Sequence, residues 1–148
     1  MTQILTATIG ITLSLLPWDE PTPDLHDYES GVATYYRTGL MAEVVENKGI
    51  IVPDGMVPVA LNRKGDMGRE VWLVWPLSWH VDHAISVDCA QEAHYQKRID
   101  QDRVVEVPGW LAKREGFYGW GPWSVEVWYK QPSLAMIRLR RMKIGEEL

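Results

Sequence analysis
A single cysteine, Cys89, leaves the chain without any internal disulfide. That fixes no compartment, because many exported bacterial proteins also do without disulfides. Cationic residues are in the minority, 15 Lys and Arg against 20 Asp and Glu, and the net charge of −5 argues against a nucleic-acid partner. The one basic stretch, Arg138-Leu139-Arg140-Arg141-Met142-Lys143, is too short to reverse that balance. No apolar run reaches the roughly 20 residues that cross a bilayer, so no stable membrane span is expected. A phosphate-cradling loop is missing as well: Gly116-Phe117-Tyr118-Gly119-Trp120-Gly121 has neither the lysine nor the strand–helix setting. Phenylalanine occurs once, whereas tryptophan occurs eight times and tyrosine six. Such amphipathic rings suit a groove rim as well as a core, and flat rings stack on sugar faces.

With 148 residues, 46% of them apolar, the chain is sized for one domain with a real core. Residues 1–30 read as an apolar segment followed by a linker. The apolar part, 4–16, has the length of a secretory h-region, but no Lys or Arg precedes it and no small-x-small cleavage site follows. Its Thr and Ile content fits a β-strand equally well, and both readings stand. Residues 18–30, rich in Pro and Asp, read as a linker or extended arm. Residues 31–130 carry the globular unit, and 131–148 form a basic C-terminal extension whose residues 135–139 suit a strand or a helix.

Within the unit, short strand signals are separated by turn residues. Strands are expected at 32–36, 50–52, 57–61, 69–75, 85–90, 104–107 and 124–129. Pro53-Asp54-Gly55 is a turn in which Pro presets φ and Gly supplies φ > 0. Pro58 suggests an edge or a strand start. Short helices fit 91–98 and 110–115, the latter closed by Gly116 as a left-handed cap, and 40–47 suits a short helix or an irregular loop. Residues 62–68, 76–83 and 117–123 read as loops. Many short strands with few helices indicate an all-β barrel or sandwich with minor α.

Ile85-Ser86-Val87-Asp88-Cys89-Ala90 is the stretch around which the rest is arranged. Ile85 and Val87 alternate with Ser86 and Asp88, the period of a half-buried strand that carries an acid to a barrel mouth. The flanking Val87 and Cys89 imply an apolar setting that raises the Asp88 pKa. The plainer role for Asp88 is to tie a loop together by accepting backbone N–H bonds, and the residues leave both open. His80-Val81-Asp82-His83 with Cys89 and His94 fits no standard metal spacing, and no Cys-x-x-Cys supports it, so neither metal nor cofactor is expected. Cys89 with His94 as a nucleophile–base pair is weaker than Cys89 as a small buried hydrophobe. Trp79, Trp110, Trp120 and Trp123 fall on loops or a helix start, where they can line a groove. Trp72, Trp75 and Trp128 fall on strands and suit the core or the barrel surface.

Taken in order, these signals resemble the double-psi β-barrel domains of the rare lipoprotein A and expansin type. Gly31-Val32-Ala33-Thr34-Tyr35-Tyr36 resembles the family's opening Gly-x-Ala-Ser-Trp-Tyr. Ala60-Leu61-Asn62-Arg63-Lys64-Gly65-Asp66-Met67-Gly68 resembles its Ala-Ala-His-Arg-Thr-Leu-Pro-Phe-Gly. Residues 85–90 lie where it has Val-x-Asn-Asp-Arg-Gly, residues 105–107 where it has Ile-Asp-Leu-Ser, and residues 124–128 on its closing strand. The resemblance covers residues 31–129 and implies a six-stranded double-psi barrel. It also implies secretion or a cell-envelope location, with peptidoglycan or another polysaccharide as partner. Members either cleave peptidoglycan as lytic transglycosylases or loosen glycans without hydrolysis. The family's catalytic Asp falls on Asp88 and a second acid on Glu106, but its His falls on Asn62, which hydrogen-bonds sugars and cannot relay a proton. Tyr36, Asn62 and Arg63, which fall within those motifs, are candidate substrate contacts, and the rings of Trp79, Trp110 and Trp120 on loops or a helix start are candidates beside them. Two functions follow: a glycan-binding barrel that also cleaves, or a non-catalytic binding or assembly module, envelope- or phage-associated.

Overall fold
Period-2 burial selects which side of each strand faces inward. Val57, Val59 and Leu61, then Val71 and Leu73, Val105 and Val107, and Val125 and Val127 are all buried together, with Trp75, Leu111 and Phe117 filling the same core. Each fully buried Val or Leu side chain contributes roughly 1.5–3 kcal/mol of transfer free energy. The structure, a computed structural model, describes residues 17–23 and 28–147. The segment 4–16, with its signal-or-strand question, lies outside the described residues.

Six strands result: β1 (Tyr28–Tyr35), β2 (Val57–Leu61), β3 (Glu70–Val74), β4 (Val81–Cys89), β5 (Arg103–Val107) and β6 (Trp123–Trp128). Four helices join or follow them: α1 (Leu40–Lys48), α2 (Glu92–Asp100), α3 (Gly109–Glu115) and α4 (Leu134–Glu147), with a 3₁₀ turn at Lys64–Asp66. The strands close into one mixed barrel in the order β1-β5-β2-β4-β3-β6. The β1–β5 and β2–β4 pairs are parallel and the other four antiparallel. Exchanging β1, β2 and β3 for β4, β5 and β6 returns the same set of pairs, so the barrel is built from two matching halves. Among the described residues, no helix is long and apolar enough to cross a membrane.

Several expectations change in detail. Residues 50–52 form no strand, and Ile51 is 88% exposed; without a neighbouring strand, β-branched residues alone do not make one. The turn after them is as expected, with Gly55 at φ 81° and Met56 N–H donating to Pro53 O at 3.1 Å. Pro58 occupies no free edge, because the barrel has none; β2 meets β5 in register only at Ala60–Glu106, two residues further on. Asp82 and His83 belong to β4 rather than to the preceding loop. The alternation of residues 85–88 is broken: Ser86 and Val87 are both buried while Ile85 is half-buried. A bulge causes this, since Val59 pairs Ser86 while the next residue, Ala60, pairs Asp88, leaving Val87 as an extra residue. Residues 135–139 are helical, inside α4.

Both flanking segments are docked. The arm 17–23 crosses the 3₁₀ turn, where Thr22 donates its N–H and its hydroxyl to the two oxygens of buried Asp66 at 2.8 and 2.7 Å. Trp18 Nε1 donates to Ala90 O at 2.8 Å, and Lys64 N–H donates to Trp18 O at 3.0 Å. Helix α4 is tied by Arg140, which donates to buried Glu126 and lies 4.9 Å from the Tyr28 ring centroid. The arm passes so close to Gly65 that a Cβ there would collide with the backbone of Glu20 and Pro21. Gly65→Ala is therefore expected to destabilise the fold by about 1–3 kcal/mol through overpacking. It should also raise hydrogen exchange in residues 17–23. An unchanged melt with unchanged exchange would show that the arm does not rest on this turn.

Candidate functional site
Register brings the two acids of the sequence reading onto one level. Ala60 of β2 pairs with Asp88 of β4 on one side and with Glu106 of β5 on the other, and Glu106 pairs in turn with Thr34 of β1. With strands about 4.8 Å apart, the two carboxylate-bearing residues stand about 10 Å apart at Cα, separated by one methyl group. Val105 and Val107 point into the core, so Glu106 between them points to the opposite face. The bulge at Val87 gives Asp88 the same level.

Tyr36, just past the end of β1, joins the row. Its hydroxyl donates to Asp88 Oδ2 at 2.7 Å, and its backbone N–H to Val107 O at 2.9 Å. Burial pushes the phenol pKa up, and the Asp88 bond and the charges of Glu106 and Asp88 add to that. Tyr36 is therefore a permanent proton-bearing donor at physiological pH. Each carboxylate also has a cation. Lys48 Nζ lies 2.5 Å from Asp88 Oδ1, and Arg98 lies 2.9 Å from Glu106 Oε2. Both cations sit in the last turn of a helix, Lys48 in α1 and Arg98 in α2, where the helix dipole favours positive charge.

The expected rise in the Asp88 pKa is reversed. Burial raises it, but the bonds from Lys48, Tyr36 and the Cys89 backbone, with the Lys48 charge, outweigh burial and hold the carboxyl below the usual range. The apolar neighbours in sequence do not set the environment, because Lys48 arrives from 40 residues away. At neutral pH Asp88 is an acceptor and not a proton donor. The Cys89 thiol moves the other way, raised by burial and by the Asp88 charge, so it is no ready nucleophile.

The remaining predicted residues separate. Asn62 and Arg63 are buried, 8% and 4% exposed. Asn62 Nδ2 donates to Arg103 O, and Arg63 donates to Thr22 Oγ1 and lies 3.6 Å from Asp66. Both line a small cavity whose walls include Thr22, Glu29, Asp66, Tyr95 and Tyr129 rather than Asp88 or Glu106. Neither is placed to touch a substrate beside Asp88. Trp79 is half-buried with φ 59°, its N–H donating to Trp75 O at 2.6 Å.

Trp110 and Trp120 are 52% and 84% exposed. Trp110 follows Gly109, where an added Cβ would lie 2.9 Å from Tyr36 O and 3.1 Å from Thr38 N, so the start of α3 abuts the Tyr36 turn. Trp120 stands between Gly119 and Gly121, both at positive φ, on a loop tied by Gly119 N–H to Tyr35 Oη at 2.8 Å. Of the other tryptophans, Trp75 and Trp128 are core, Trp123 stacks on Phe117, and Trp72 stacks on His83.

The two histidines of the His80–His83 stretch diverge. His80 Nδ1 meets buried Glu115 at 2.7 Å, while His83 lies 3.1 Å from Glu70. Among the described residues, no group of three or more His, Cys, Asp and Glu is placed to hold a metal ion. Lys48 and Arg98 are the residues that the sequence reading passed over. Nothing in their spacing links them to the acids; the only signal is a basic residue in the last turn of each helix.

Fold and site together define a closed mixed six-stranded barrel that presents a charge-balanced row of two carboxylates, two cations and a phenol. No family model matches the chain, and no curated protein does either.

Replacing Lys48 removes the largest force that holds Asp88 ionised, while burial remains. In Lys48→Met the Asp88 pKa is expected to rise to the ordinary carboxylate range or above, read by carboxyl-carbon NMR titration. In the unaltered protein the depressed Asp88 contributes stability that is present above its unfolded-state pKa and lost as pH falls through the folded one. The variant should lose that acid dependence. An unmoved titration would mean that Tyr36 and the backbone alone fix the carboxylate.

Proposed function
We propose that this barrel binds glycan strands at a cell envelope through the Asp88–Tyr36–Glu106 row, without cleaving them at neutral pH. The observation that carries this reading is the Lys48–Asp88 contact at 2.5 Å with Tyr36 on the other carboxylate oxygen. Cleaving a glycosidic bond calls for an acid that protonates the leaving oxygen. Asp88 is held ionised, Glu106 is occupied by Arg98, and Asn62, at the family's His position, is turned to Arg103 O. What the row offers is a set of charged and phenolic groups suited to sugar hydroxyls, with Trp110 beside the Tyr36 turn as a flat exposed ring. The envelope location and the double-psi assignment rest on the sequence resemblance. The closed six-strand barrel is the architecture that the resemblance implies.

A lytic transglycosylase is the second reading, favoured by the two acids sharing one register level. It requires Lys48 to leave Asp88. Co-sedimentation of the full chain with insoluble peptidoglycan, with mass analysis of the soluble fraction, separates the two. Binding without soluble products is expected. Trp110→Ala should weaken binding roughly two- to tenfold, the equivalent of about 0.5–1.5 kcal/mol for one aromatic contact. Anhydro-muropeptides that vanish in Asp88→Asn would establish the lytic reading instead. No sedimentation would sink both.

A further inference from the structure
The turn that follows β1 carries a cationic corner beside the Asp88 row. Arg37 and Thr38 come directly after Tyr36, and both are exposed. The start of α3 packs on this turn: a Cβ added at Gly109 would lie 2.9 Å from Tyr36 O, 3.1 Å from Thr38 N and 3.1 Å from the Tyr118 ring. One turn along α3, Lys113 Nζ donates to Thr38 Oγ1 at 3.0 Å and lies 4.7 Å from the Tyr118 ring centroid. Thr38 Oγ1 donates in turn to Tyr118 Oη at 3.2 Å. The Thr38 hydrogen bonds, with the Lys113 and Arg37 charges, pull the Tyr118 phenol below its ordinary pKa, the mark of a positive local potential.

Other cations near the row are matched by acids. Lys48 has Asp88 and Arg98 has Glu106. Arg114, the next residue of α3, donates to Asp82 at 2.9 Å and to Glu115 at 2.6 Å. Lys113 has only the neutral Thr38 hydroxyl and the Tyr118 ring, and no carboxylate pairs with it or with Arg37 among the described residues. The corner follows the end of β1, an eight-residue strand, whereas residues 24–27 with their two Asp adjoin its start, about 25 Å away along the strand. In a chain of net charge −5, two neighbouring cations without an acid are a local exception. Trp110, three residues before Lys113 and so on the same face of α3, adds a ring that is 52% exposed. A flat ring beside two cations suits a sugar that carries an anionic group.

We propose that this corner is a subsite for a carboxylate carried by the glycan, with Arg37 and Lys113 on the carboxylate and Trp110 against the sugar ring. The subsite rests on the glycan-binding reading of the Asp88 row and names the ligand as an acidic glycan instead of a neutral one. It also orients the strand. The carboxylate is drawn to the corner, whose cations lack acids, and not to the row, where Lys48 and Arg98 already face Asp88 and Glu106.

The test is co-sedimentation of the full chain with two forms of insoluble peptidoglycan, one untreated and one with its carboxyls amidated by carbodiimide and methylamine. Amidation is expected to weaken binding roughly three- to tenfold. Arg37→Met and Lys113→Met should each weaken binding to the untreated form roughly two- to fivefold and leave binding to the amidated form unchanged. Both side chains are exposed, so the variants should melt as the unaltered chain does. Equal binding of the unaltered chain to both forms would overturn the subsite and leave glycan binding standing. So would a loss on amidation that neither variant reproduces, since the carboxylate would then be read elsewhere. Binding that survives amidation yet falls in Lys113→Met would assign the corner to phosphate and overturn the carboxylate. Sedimentation with neither form would remove the glycan reading itself, and the subsite with it.

Discussion
Strand β2 is shared between two neighbours of opposite direction, and the rest of the structure depends on that sharing. It runs parallel to β4 and antiparallel to β5, and the two pairings coincide at Ala60. Closure of the barrel and alignment of the acids are thus one event. A small side chain at that position lets strands β4 and β5 carry Asp88 and Glu106 at one level with the Tyr36 phenol beside them. Two carboxylates held at 21% and 17% side-chain exposure would be unfavourable alone. The cations from the last turns of α1 and α2 offset that cost, so the helices are electrostatic parts of the row as well as connections.

The flanking segments are attached by a similar device. Each is received by a carboxylate that the barrel has buried: Asp66, 2% exposed, takes the arm through Thr22, and Glu126, 2% exposed, takes α4 through Arg140. A buried acid with a fixed partner is directional in a way that apolar contact is not. The residues flanking the globular unit in sequence therefore have specific seats on it. The arm's seat also closes over the cavity beside Arg63.

How far this could be seen in the sequence depends on the range of the force concerned. The strands at Glu70–Val74, Arg103–Val107 and Trp123–Trp128 and the Gly116 cap at φ 89° follow from local pattern and backbone preference, and these were legible. The order of the acids along the chain was legible too, since Asp88 and Glu106 fall on predicted strands. The bulge at Val87 was not, because it is set by a neighbouring strand and alternation alone hides it. The Asp88 pKa was misjudged for the same reason. Val87 and Cys89 are adjacent in sequence, but Lys48 and Tyr36 determine the charge state through contacts 40 and 52 residues distant. Asn62 and Arg63 look like surface polar residues in a turn-rich stretch, and only the docked arm and α2 show that they are interior.

The matching halves of the barrel have one further consequence. Every strand pair joins one of β1–β3 to one of β4–β6, so no strand in residues 28–74 is hydrogen-bonded to another strand of that same stretch. During synthesis the first three strand segments emerge with no sheet partner until residues 81–89 follow. The first available ladder is the β3–β4 hairpin, and the remaining pairs must close over long separations, which slows folding. Until then the Val and Leu of β2 and β3 have no sheet partner to cover them, the condition in which partly folded chains expose apolar surface to aggregation.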